Sequence, residues 1–338
     1  MEKIESNYSE LLESIRKDPK LLEELCSIRK DSNKPPKDSN EENRLKVGIA
    51  VYNDFQESDE FIIKYLFDKE VESLKQVVKK YHDSFLLISY LYTLNKSAEK
   101  VIDFYELKML NYDTFSGFER EHLLVGGVSN TFKFLETLEP NYANRIKQEI
   151  GEDELKAIFS DDQIESWLQY KKSEFIKYKY PENLDEQIDF NVAIKDKIKL
   201  ELIVDKWHEQ VTDWNKKTLS KLLAILNVIK NDSITISYLN SKISFFDGEL
   251  LNHAILKKYL DSLIAEKKYQ RVYEIVKQKI EAGLKRIYEA SIFFYLVTII
   301  EESNEKILTN ECIKLLKLNR DRLNQNILNK LEDIGNAM

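Results

Sequence analysis

Proline and glycine are nearly missing from this chain: 5 Pro and 8 Gly among 338 residues, with no proline beyond Pro181. These residues end helices and make turns, so their scarcity permits long, unpunctuated helices. The chain therefore reads as mainly α. Cysteine is scarce too. Cys26 and Cys312 lie too far apart to frame a small disulfide scaffold and have no metal-ligand spacing, which fits a reducing compartment. Long apolar runs are lacking: the longest, Ile292 to Ile300, is about half of what a bilayer demands. The start, Met1-Glu2-Lys3-Ile4-Glu5, has neither the basic end nor the apolar core of a signal peptide. The expected location is the cytoplasm, without membrane attachment.

Arginine is sparse as well, at nine of 51 basic residues. Bidentate phosphate recognition favours Arg, so this bias, together with a net charge of −8, argues against nucleic acid as a partner and leaves room for a basic protein. The surplus of Lys, Asn, Ile and Tyr also points to a low-GC, bacterial origin.

What is present can build cores: 43 % hydrophobic and 11 % aromatic residues exclude a disordered chain. Charged residues reach 33 %, above the usual roughly 25 %. An elongated stack of helical hairpins explains the excess, because it has more surface per residue. At this length the chain exceeds one ordinary core. The expected class is mainly α, solenoid-like and HEAT-like at best, since no repeat with the signature residues of the tetratricopeptide or ankyrin type is found.

Five segments follow from composition. Residues 1–30 carry two short amphipathic helices, Ile4/Tyr8/Leu11/Leu12/Ile15 and Leu21/Leu22/Leu25/Ile28, as an arm. Residues 31–43 (DSNKPPKDSNEEN) have no apolar residue and two adjacent prolines, and read as a linker. Residues 44–180 run helix after helix. Residues 181–248 read as a small α+β unit, and 249–338 return to helical hairpins. The α+β expectation rests on period-2 alternation of Ile188, Phe190, Val192 and Ile194, then Ile198, Leu200, Leu202 and Val204, around Lys195-Asp196-Lys197. A second, weaker hairpin is expected within 233–246, so that one or two hairpins occupy 187–246. Helices are expected over Glu121–Leu138, Val211–Ile229 and Glu311–Ile334, with Gly283 as a helix stop.

Chemistry-bearing residues are few, with only four His. Glu119 and His122 form one E-x-x-H where a di-iron bundle needs two. Glu249 and His253 share a helix face with no third ligand in view, so no metal is expected. His82-Asp83 and His208-Glu209 point to different faces of a helix. Gly126-Gly127 lies in an apolar run and reads as a close crossing rather than a phosphate loop. A restriction-type E-x-K fails at Ile203, two residues after Glu201. The segment Tyr170–Tyr180 interleaves Lys171, Lys172, Lys177 and Lys179 with Tyr170, Phe175, Tyr178 and Tyr180, a weak pattern for single-stranded nucleic acid. Its competing reading is a helix with aromatics inward and lysines in water.

The leading expectation is a non-enzymatic helical module that binds a protein, in its most concrete form a bacterial immunity or antitoxin-like inhibitor of a basic toxin, with no cofactor. The alternative is an enzyme or nucleic-acid-processing component that uses Glu201, Asp205, His208 and His253 in and around the α+β unit.

Overall fold

A computed structural model describes residues 2–29, 38–76, 82–151, 159–240, 250–283 and 286–337. The chain divides into two compact units, Met1–Ala193 and Ile194–Met338. Every regular element among the described residues is helical, as the scarcity of helix breakers allows.

The first unit holds α1 (Glu2–Lys17), α2 (Lys20–Cys26), α3 (Glu41–Asn53), α4 (Glu60–Gln76), α5 (Asp83–Leu94), α6 (Lys100–Lys108), α7 (Tyr112–Gly117), α8 (Val128–Leu135), α9 (Pro140–Ile150), α10 (Asp161–Glu174) and α11 (Leu184–Ala193). Short 3-10 turns cover Glu57–Asp59, Arg120–Leu124 and Ile176–Tyr178. Helix α5 is the centre: it packs on α3 and α4, and Phe85, Leu87, Ile88 and Leu91 are fully buried. A helix apolar on nearly every side belongs inside. His82 caps it by accepting from the Phe85 amide at 3.3 Å, and Ser160 with Gln163 forms a reciprocal capping box for α10.

Helices α1 and α2 pack on α3. The Arg16 guanidinium fixes that contact, donating to Asp59 at 2.7 and 2.8 Å and to Asp54 at 2.7 Å. Deeper still, fully buried Arg44 donates to Asp38 at 2.6 Å and Glu70 at 2.8 Å. Asp38 and the first turn of α3 (Glu41–Asn43) fall in the stretch expected as a linker; residues 30–37 lie outside the described residues.

The second unit holds α12 (Lys197–Gln210), α13 (Lys216–Ile229), α14 (Asp232–Asn240), α15 (Leu250–Ala265), α16 (Tyr269–Glu281), α17 (Arg286–Glu302), α18 (Lys306–Leu318) and α19 (Gln325–Ala337). Here packing follows chain order. α12 meets α13, α14 meets α15, and α15, α16 and α17 each meet the next. Next-but-one pairs α13/α15, α15/α17, α16/α18 and α17/α19 also touch.

The expected hairpin over 187–204 is not formed: α11 and α12 cover its two arms. Asp196, read as turn residue, caps α12 by accepting from the Lys199 amide at 2.9 Å, and Lys195 takes the left-handed φ of 57° between the helices. Alternation misled because Leu200, Val204 and Trp207, spaced by four and three, form the buried face. Ile198 and Leu202 form another face, 75 % and 73 % exposed. The same holds for 233–246. Residues 233–240 lie in α14, which buries Thr235, Tyr238 and Leu239, and 241–246 fall outside the described residues. Every regular element described within the expected α+β unit is thus a helix.

Several helix limits also differ. Glu121–Leu138 is a 3-10 turn and α8, parted at Gly126-Gly127. A Cβ on Gly126 would lie 2.4 Å from the backbone of Ala98, so this is a close approach of two chain segments, and only Gly fits. Val211–Asn215 is not helical; Asn215 caps α13. Glu311–Ile334 is interrupted between α18 and α19. Gly283, at φ 78°, does end α16.

Candidate functional site

Two short segments of the first unit bring together residues that are far apart in sequence. On α5, Phe85, Leu86, Ser89 and Tyr90 share a face by their spacing of one, four and five. On α10, Trp167, Lys171 and Glu174 do so by spacing of four and three. With the end of α7, the 3-10 turn at His122 and the residues after α10, they enclose a pocket of about 480 Å³.

One wall is a column of rings. The His122 imidazole stacks on Phe118, with centroids 4.0 Å apart and planes 25° from parallel, and meets Trp167 edge-on at 4.6 Å. Tyr90 and Phe175, 5.2 Å apart, supply further aromatic surface. His122 is buried, and burial lowers its pKa to about 3, so the ring is neutral near pH 7. Its Nδ1 lies 3.1 Å from the Glu119 carbonyl oxygen. That oxygen only accepts, so Nδ1 carries the hydrogen and Nε2 is an acceptor.

The ionic groups of the pocket hold one another. Lys171 Nζ lies 2.8 Å from Glu119 and 3.0 Å from Glu174, and the indole of Trp167 donates to Glu119 at 3.1 Å. Partial burial works to lower the Lys171 pKa, but the two carboxylates outweigh it and raise it. Lys177 pairs with Asp83 at 3.2 Å. Burial pushes the Tyr90 hydroxyl up to about 12. Ser89 is 2 % exposed, and its hydroxyl finds no hydrogen-bond partner among the described residues.

The basic and aromatic segment Tyr170–Tyr180 therefore contributes two of its lysines, Lys171 and Lys177, to this pocket. Lys179 pairs instead with Glu182 at 2.8 Å. Tyr178 is fully buried, while Tyr170 is 58 % exposed. Glu119 and His122, weighed as half of a di-iron motif, meet here as a pocket wall, and no group of three metal-ligating side chains occurs among the described residues. His82 Nε2 sits 3.3 Å from buried Glu70, beside the Arg44 network.

In the second unit, Tyr238 donates to Asp205, and the His208 ring lies 4.9 Å from both Tyr238 and Trp214. Asp205 and His208 are thus brought together, joined by a tyrosine that the spacing did not nominate. Glu201 approaches Lys197 at 3.8 Å, and His253 Nε2 lies 3.1 Å from the Ser291 hydroxyl. Glu249 lies outside the described residues. Burial and the Asp205 hydrogen bond both raise the pKa of Tyr238, which keeps its proton.

Sequence reasoning missed Trp167, Tyr90, Phe118 and Ser89. The one local signal was Trp167-x-x-x-Lys171-x-x-Glu174, a helix face on which an indole, an ammonium and a carboxylate align. No family model, curated protein or solved structure matches this chain.

Proposed function

We propose that this protein is a non-enzymatic, helical module that binds another protein, and that the partner is basic. The observation that carries this reading is the state of the pocket in the first unit. Its lysines are already held by carboxylates, its imidazole is neutral and its tyrosine keeps its proton. A general base needs a pKa near the working pH, and His122 lies far from it. The groups are fixed for recognition by shape and polarity.

The chain-order packing of α15 to α18 supports a solenoid-like arrangement in the second unit, the type that presents extended surfaces to partners. A net charge of −8 favours a basic partner and speeds encounter with it. The most concrete form is an immunity or antitoxin-like inhibitor that covers a basic toxin, made in the cytoplasm of a bacterium. No described helix is long and apolar enough to cross a membrane. The enzyme alternative would draw on Asp205 and His208, but Tyr238 already occupies the carboxylate.

Affinity purification of the full chain from its native host tests the proposal. The expected result is one stoichiometric basic protein whose association rate falls as salt rises, because exposed charges are screened beyond roughly 8 Å at physiological ionic strength. Recovery of no stoichiometric partner would sink the idea, and a salt-independent rate would remove its electrostatic part.

A further inference from the structure

We propose that the pocket between α5 and α10 receives the guanidinium group of an arginine presented by the basic partner; this assignment rests on the binding role proposed above. Three carboxylates line the pocket, Asp83, Glu119 and Glu174, against two ammonium groups, Lys171 and Lys177. With His122 neutral, one negative charge is left over. A cation is what balances it.

Hydrogen-bond polarity points the same way. Both lysines already donate to carboxylates. The carboxylates retain free lone pairs, since an ionised carboxylate has about four acceptor positions. His122 Nε2 is an acceptor as well. The Ser89 hydroxyl, buried in the lining with no partner among the described residues, has two lone pairs to offer. A pocket dominated by acceptors suits a ligand that is all donors. Guanidinium has five N–H donors in one plane and no acceptor.

The walls complete the match. Phe118, His122, Trp167, Tyr90 and Phe175 offer ring faces and edges, on which a planar cation stacks and is attracted by the ring quadrupole. A compact ammonium would use the charge but not the planes. A cavity of about 480 Å³ is ample for one side chain and its stem, and arginine is among the residues that most often anchor protein interfaces.

The probe is N-acetyl-arginine amide, titrated into the full chain and followed by calorimetry and by the NMR signal of the Trp167 indole, assigned from Trp167→Phe. Its neutral isostere, N-acetyl-citrulline amide, has the same shape and no charge. The arginine probe is expected to shift the indole signal and to bind about tenfold more tightly than the citrulline probe. Glu174→Gln, at a half-exposed position, should weaken binding several-fold, and Lys177→Met, which frees Asp83, should strengthen it. Equal binding of both probes, no indole shift at the highest soluble concentration, or no response to either variant would overturn the assignment. Thermal melts check that both variants stay folded. If the chain still captures a basic partner while the arginine probe fails, the pocket assignment falls and the binding role stands.

Discussion

The two units solve burial differently. Among the described residues of the first, fifteen buried side chains are polar or charged, including Asp38, Arg44, Asp59, Glu70, Lys100, Lys108 and His122. Among the described residues of the second, Thr235, Ser262 and Lys279 are. The first unit joins elements distant in sequence, and ionic contacts set which meets which: Arg16 with Asp59, Arg44 with Glu70, Lys171 with Glu119. The second packs each helix mainly on its chain neighbours, so an aliphatic core such as Leu222, Ile225, Leu226, Leu260, Val272 and Val276 is sufficient. Polar networks specify partners at the cost of desolvation, whereas local packing needs little specification.

The largest effect expected from breaking this contrast is at Arg44. Arg44→Met leaves Asp38 and Glu70 buried without their cation and should cost about 3–5 kcal/mol. Replacing all three residues by apolar ones should recover most of the loss. Urea denaturation of both variants decides it: equal losses would show that the network does not act as a unit.

In the second unit the matching test is on α12. Leu200→Ala should cost about 2–5 kcal/mol, because Leu200 is fully buried. Leu202→Ala, at an exposed site, should stay within roughly 0.5 kcal/mol. Equal changes in the two melts would contradict the face assigned to this helix.

Acid should separate the units. The folded-state pKa of His122 lies at about 3, below its usual 6.5, so the unfolded chain binds the proton more readily. Stability from this group is complete above pH 6.5 and is lost as pH falls toward 3. Between pH 7 and 5 the loss is about 2 kcal/mol, from 1.36 kcal/mol per pH unit. Asp38 adds to it at lower pH. Burial pushes its pKa up, but Arg44 more than compensates and holds it below 3.8, so its stabilisation fades below that value. Hydrogen exchange resolved by residue should show the first unit loosening first. His122→Phe should flatten its pH dependence above pH 4; an unchanged slope would place the sensitivity elsewhere.

A modest effect of backbone conformation alone is expected at Gly283→Ala. The position is open, but its φ of 78° is unfavourable for any residue with a Cβ, so about 1–2 kcal/mol is expected in thermal melts. A stabilising change would mean the backbone there readily leaves that conformation.

How much was legible depends on the range of the interaction concerned. The return to helices expected after residue 249 is found in α15 to α19, and Gly283 ends α16 as expected. Residues 187–204 went wrong because apolar residues at every second position satisfy a strand and a two-faced helix alike. Nothing local says that Ile198 and Leu202 stay exposed while Leu200, Val204 and Trp207 are buried. The pocket was legible only in fragments. Glu119 with His122, and Lys171 with Lys177, stood out in separate passages and for separate reasons.

By itself, the sequence determined the helical class, through the shortage of Gly and Pro, along with the acidic balance and the helix stop at Gly283, since these depend on composition and on residues within about four positions of one another. Only tertiary structure decided that Asp196 caps a helix rather than turning a hairpin, that Arg44 bridges Asp38 and Glu70, and that α5 and α10 close an aromatic pocket around Trp167. Those outcomes turn on which faces are buried against distant segments, and burial is a property of the packed chain.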